Sequence, residues 1–359
     1  MKHSRSIAFV LAHLCAASAL VACGGGDSSS ATSSFERIAP LVGTAANLAD
    51  SNIADSVVTD ASHSLSAAQN LTASGDLFNT LVAGVASQST SATKPHLSVG
   101  ALGQALAQTI SQGTSDHVLT AAQTETATCP GGGTLQISGQ QASAGSLNQD
   151  DNFDVTATQC IMTFNSQTWQ IHGQMRMRVA AGQNVNPTNL AAVTLNFEMT
   201  PLVLTMQGSG DQVGLDGGFQ IRYDTQQTYR WSSLSSMPDL TLHELMKGED
   251  VKETLNNFFY DVHNGTMLGN ATVNTNRKFS SPVQYRWSVL EALSFLPIDE
   301  IAAGTVLITS DAGGSQLRLR FGQPCTGSTS TNCVAYEKSS DGSTFEWVRL
   351  YTWSEFRLL

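Results

Sequence analysis

The chain has 359 residues, 41% hydrophobic and 13% charged, with a formal net charge of −11 and a pI near 5.1. That is enough apolar material for a core, and it excludes a wholly disordered chain. The acidic balance argues against nucleic-acid binding and against attachment to anionic headgroups through a basic patch.

Lys2 and Arg5 form a short basic head, followed by an apolar stretch over residues 7–22. Interrupted by His13 and Ser18, this stretch reads as a secretory signal over residues 1–22, too short and too polar for a permanent span. It ends in Leu20-Val21-Ala22-Cys23, which resembles the lipobox of bacterial lipoproteins. The resemblance implies cleavage before Cys23, a diacylglycerol on its thiol and a fatty acyl chain such as palmitate on the freed amine. Each buried methylene of such chains contributes about 0.8 kcal/mol, so several chains on one residue hold a protein at a membrane. Residues 23–34, rich in Gly and Ser, read as a flexible tether. In the lipoproteins it resembles, Gly24 rather than Asp after the cysteine favours the outer membrane. Loss of the signal leaves 16 basic against 29 acidic residues, a net charge of −13.

Residues 35–124 predict a helical region. Apolar residues recur at helical spacing in Ile38, Leu41, Val42, Ala45 and Leu48, and in Ile53, Val57, Ala61 and Leu65. The spacing returns in Leu77, Leu81, Val82 and Val85, and in Val99, Leu102, Leu106 and Ile110. Ser51, Ser74 and Ser98 stand where N-caps are expected. Each stripe is narrow, so these helices are expected to pack on one another or on the domain that follows.

Residues 125–359 change to a period of two. Trp169, Ile171, Met175, Met177 and Val179 alternate with polar residues. So do Val193, Leu195, Phe197 and Met199, the set Phe219, Ile221 and Tyr223, and the set Leu317, Leu319 and Phe321. One face apolar and one wet is the pattern of antiparallel sheet. Turns are expected at Gly208-Ser209-Gly210, Asp216-Gly217-Gly218, Asp311-Ala312-Gly313-Gly314 and Asp341-Gly342. The expected fold is α+β, with N-terminal helices packed on a large curved antiparallel sheet, either a half-barrel or a sandwich. With Cys15 in the signal and Cys23 lipidated, Cys129, Cys160, Cys325 and Cys333 remain, an even set that reads as two disulfides. Three pairings are open; Cys129 with Cys160 and Cys325 with Cys333 close the shortest loops.

Cys129-Pro130-Gly131-Gly132-Gly133, the acidic turn Asp150-Asp151, Cys160 and the strand containing Gly173 resemble uncharacterised β-rich lipoproteins of Gram-negative bacteria. The end of the chain resembles them too, in the strand over residues 305–310, the turn over 311–314, the strand over 316–321 and the closing Thr352-Trp353-Ser354-Glu355. The likeness spans residues 129–359 and implies a β-rich body, with no reaction and no ligand.

Several motifs suggest chemistry and fall short of it. Asp150, Asp151, Asn152 and Asp154 would open a calcium loop, but Val155 and Ile161 stand where the EF-hand needs glycine and a carboxylate. A solvated turn is the simpler reading. Ser91-Ala92-Thr93-Lys94 spells S-x-x-K in a Ser/Thr run before Pro95, without the partner motifs of acyl enzymes. His243-Glu244 starts a zinc motif that Lys247 ends. Asp261 and His263 share a strand face as an acid–base pair, and His172 with Arg176 and Arg178 forms a basic stripe. Phe345, Trp347, Tyr351, Trp353 and Phe356 suit a core, or less simply a carbohydrate-stacking platform. No cofactor and no metal site is indicated.

The sequence therefore predicts a non-enzymatic lipoprotein of binding or structural role. Its expected partner is the membrane, met through the anchor, at the periplasmic face of a Gram-negative outer membrane. One alternative is a lipid or lipoprotein carrier with an apolar cavity lined by Trp169, Met175, Met177 and Phe197. Another is an envelope hydrolase using His263 or His172.

Overall fold

The computed structural model describes residues 36–73, 120, 123–143, 146–164, 167–183, 185, 192–224, 229–263, 266–296, 300–326 and 332–357. Two compact units separate at Ser34, and every described residue belongs to the second, Phe35–Leu359.

That unit is built on one 16-stranded sheet. Its first half comprises β1 (Thr44–Ala45), β2 (Thr124–Thr128), β3 (Thr134–Gln140), β4 (Asn152–Phe164), β5 (Gln167–Ala181), β6 (Val193–Met206), β7 (Gln212–Tyr223) and β8 (Tyr229–Ser232). The second comprises β9 (Leu240–Met246), β10 (Glu249–His263), β11 (Thr266–Thr275), β12 (Val283–Leu296), β13 (Glu300–Thr309), β14 (Gln316–Gln323), β15 (Cys333–Ser339) and β16 (Glu346–Thr352). The chain meanders, so from β2 to β16 each strand pairs antiparallel with its sequence neighbours, except that β8 and β9 do not pair with each other. Between β7 and β10, β8 and β9 stand end to end: β7 pairs β9 through residues 212–216 and β8 through residues 220–223. The two-residue β1 pairs in parallel with β12. Alternation decides the faces: Trp169, Ile171, Leu195, Phe197, Tyr285, Trp287, Leu317 and Leu319 are buried on one side, while Arg178, Arg222 and Arg286 on the other are exposed. Register shifts at Ala157/Cys160, Gly173/Met175 and Met199/Leu202 place bulges in neighbouring strand pairs, where a sheet bends and twists.

Residues 36–46 cross the polar face as an extended strap. Arg37 forks onto Asp216 of β7 (Nη2–Oδ1 2.6 Å), and the Ile38 N–H donates to the same carboxylate. The Leu41 N–H donates to Thr254 Oγ1 of β10 at 2.8 Å, and the Gly43 N–H to Asn274 Oδ1 of β11 at 3.0 Å. Asp216, Thr254 and Asn274 are buried although they point away from the apolar face, because the strap lies over them. Gly214 leaves room for Ile38: a Cβ there would stand 2.5 Å from Ile38 Cδ1.

After β1 the chain passes to the apolar face as helix α1 (Ser51–Ala73). Asp50 Oδ1 accepts the Asn52 N–H at 2.8 Å, so the cap is Asp50 and not the expected Ser51. Val57, Val58, Ala61 and Leu65 are buried. The closing helix α2 (Trp353–Arg357) has a capping box, in which the Thr352 N–H donates to Glu355 Oε2 and the Glu355 N–H to Thr352 Oγ1. Phe356 seats this turn against Phe321, Tyr351 and Trp353.

The expected α+β fold is overturned: the unit is mostly β, and α1 and α2 are the helices among the described residues. The stripe from Ile38 to Leu48 is strap and short strand. Pro40 lacks an N–H to donate, and the Ile38, Leu41 and Gly43 N–H groups are taken by sheet side chains. Ile53, Val57, Ala61 and Leu65 do fall in α1. The stripes over residues 77–85 and 99–110, with Ser74 and Ser98, lie outside the described residues. Asp216-Gly217-Gly218 is not a turn but part of β7: Gly217 has φ +103°, and a Cβ would meet Asp239 O at 2.0 Å. The turns expected over residues 208–210, 311–314 and 341–342 stand between strands.

Candidate functional site

α1 meets the sheet through a cluster of ionisable groups where β9, β10, β11 and β12 run side by side. Asp60, in the middle of α1, is fully buried. Its Oδ2 accepts the Tyr285 hydroxyl at 2.8 Å; its Oδ1 accepts Thr275 Oγ1 and Arg277 Nε, each at 3.1 Å. One turn further along α1, Ser64 donates to Glu253 Oε1 of β10 at 3.0 Å. Arg277, just beyond β11, also gives Nη2 to Glu244 Oε2 of β9 at 3.0 Å. The strand period turns Glu253, Thr275 and Tyr285 to the apolar face, and helical spacing puts Asp60 and Ser64 on the side of α1 that meets them.

One guanidinium thus faces three carboxyl groups, of which Asp60 is fully buried and Glu253 nearly so. Burial pushes Asp60 up to about 6, against the pull of Arg277 and the three hydrogen bonds. Burial, then the neighbouring Asp60 charge, pushes Glu253 up to about 8. Burial alone would lower Arg277, but Glu244, Glu253 and Asp60 outweigh it and hold the guanidinium charged. Burial, then the charges of Asp60 and Glu253, raises Tyr285, and burial, then the charge of Glu253, raises Tyr260. The arrangement pins the helix to the sheet. Among the described residues no three or more His, Cys, Asp or Glu side chains are grouped to hold a metal ion.

Sequence reasoning missed this cluster. Its signal was an aspartate inside an apolar helical stripe, but the partners of Asp60 lie more than 200 residues away.

Cys129 bridges Cys160, and Cys325 bridges Cys333, each with Cα atoms 5.4 Å apart. Cys23, Ser91 and Lys94 lie outside the described residues. Trp169, Met177 and Phe197 are buried and Met175 is half-buried, so the apolar face is covered where they stand. In the acidic turn, Asp151 accepts the backbone N–H groups of Ala142 and Asn148, each at 2.7 Å. Asp154 pairs with Arg176. Asp261 Oδ2 accepts Arg230 Nε at 2.8 Å. His243 meets Asp250 across a hairpin while Glu244 turns to Arg277, so the two neighbours serve opposite faces. The terminal aromatics divide: Tyr351 and Phe356 are core, Phe345 and Trp353 half-buried, and Trp347 exposed. No family model matches the chain, and no curated protein and no solved structure matches it.

Proposed function

We propose that the chain is a lipid-anchored cell-envelope protein whose sheet body binds or braces rather than catalyses. The observation that carries this reading is the fate of the cysteines. The two bridges take Cys129, Cys160, Cys325 and Cys333, which leaves Cys15 inside the apolar run and Cys23 at its end. Disulfides belong to oxidising compartments, and Cys23 is then the thiol left over for acylation. The burial of Trp169, Met177 and Phe197 favours a filled, bracing body over a standing lipid cavity. Gly24 after the cysteine extends the reading to the periplasmic face of an outer membrane, by the preference of the lipoproteins it resembles.

Fractionation of cells making the native chain and a Cys23→Ser variant tests this. The native protein should sediment with membranes and need detergent for release, and the variant should be uncleaved or soluble. Equal membrane association of a processed variant would overturn the reading.

A further inference from the structure

The polar face of β14, β15 and β16 carries a side-chain arrangement that the anchor and the apolar face do not use. Trp347 on β16 is 66% exposed. Directly across from it on β15 is Glu337, and directly across from Glu337 on β14 is Arg318. Glu337 is only 7% exposed; its Oε2 accepts Arg318 Nε and its Oε1 accepts Arg320 Nη1 at 3.2 Å. Arg320 also gives Nη2 to Gln323 Oε1 at 3.2 Å, and the Arg318 guanidinium lies 4.1 Å above the Phe345 ring. Both guanidiniums are thereby held in place, while N–H groups remain beyond those spent on Glu337 and Gln323, since each guanidinium has five. Residues 316–357 hold five basic against four acidic residues, in a chain of net charge −11.

We propose that this face binds a saccharide bearing a carboxylate or a phosphate, its ring stacked on Trp347 and its anionic group on Arg318 and Arg320. Strand spacing of about 4.8 Å sets Trp347 and Arg318 about 10 Å apart across β15, the span of a sugar ring with one charged substituent. A planar indole offers a face to the C–H side of a pyranose. Guanidinium forks match carboxylate and phosphate in two-point geometry, and preorganisation by Glu337 lowers the ordering cost of binding. An acidic peptide would satisfy the arginines but leave the indole unused. The proposal rests on the binding role inferred above but not on the lipid, since binding in detergent is read whether or not Cys23 is acylated.

The test titrates the detergent-solubilised full chain calorimetrically with three probes. They are a glucuronate tetrasaccharide, a phosphorylated glucosamine oligosaccharide and neutral cellotetraose. At least one anionic probe should bind with Kd below about 1 mM, and cellotetraose at least tenfold more weakly. Preference for carboxylate points to cell-wall glycan as the source, preference for phosphate to lipid headgroup sugars. Trp347→Ala, a change at an exposed position that should leave the thermal midpoint unchanged, should weaken the anionic probe about tenfold, and Arg320→Gln should remove the preference over cellotetraose. Equal binding of cellotetraose, binding unaffected by Trp347→Ala, or no binding of any probe at about 10 mM would overturn the proposal.

Discussion

Arg277 Nε, one residue past the neighbour of β11, lies 3.1 Å from Oδ1 of Asp60 in the middle of α1. The two are 217 positions apart in sequence. Their contact ties the helix on the apolar face to the rim of the sheet that covers it, and the same guanidinium reaches Glu244 on β9.

Removing one partner of such a buried pair strands the other. Asp60→Ala should therefore destabilise the protein by about 3 to 5 kcal/mol, measured by urea unfolding. Asp60→Asn keeps an oxygen for the Tyr285 hydroxyl and should cost less. An alanine variant as stable as the native chain would show that α1 is not held through this contact.

Asp60 and Glu253 both titrate above the ordinary carboxylate range, because burial favours their neutral forms. The folded chain then binds more protons than the unfolded one, so this contribution is full below the unfolded values and is lost as pH rises through about 6 and about 8. Asp341 and Glu355, lowered by the backbone N–H groups they accept, act in the opposite sense in acid. The urea midpoint should thus be lower at pH 9 than at pH 5, and Glu253→Gln should flatten the fall between pH 7 and 9. A midpoint that rises over this range would contradict the assignment.

The strap depends on Asp216, whose carboxylate takes both the Arg37 fork and the Ile38 N–H. Asp216→Ala should cost about 1 to 3 kcal/mol and open residues 36–46 to protease. Limited proteolysis with N-terminal sequencing reads this directly; an uncut strap in the variant would show that the other contacts suffice.

The bridge between Cys129 and Cys160 joins residues 31 positions apart in sequence. Replacing both cysteines with alanine should cost about 2 to 5 kcal/mol, visible as a lower thermal midpoint. The native chain should also gain four thiols on reduction under denaturing conditions.

Much of the sheet was legible because its signal is local. Alternation in Trp169, Ile171 and Val179, or in Leu317, Leu319 and Phe321, needs only that one face be buried. The strap was not legible, because Ile38, Leu41, Val42 and Leu48 imitate helical spacing, and what prevents the helix is a set of acceptors on β7, β10 and β11. Asp216-Gly217-Gly218 has the composition of a turn, yet the glycine serves a close approach by Asp239 within a strand. Asp60 looks like a polar interruption of a helix until Tyr285, Thr275 and Arg277 are brought to it by the fold. The cysteines were legible as an even set with three pairings open, and the fold selects the short-loop one by bringing Cys129 to Cys160 of β4 and Cys325 to Cys333 of β15.

Intact mass spectrometry of the membrane-extracted protein, with fragmentation of its N-terminal peptide, reads the proposed lipid on Cys23 without intermediary. Acylation predicts a chain that begins at Cys23 and carries a diacylglycerol on sulfur and a fatty acyl group on nitrogen. A chain that begins elsewhere, or begins at Cys23 with a bare thiol, would contradict it.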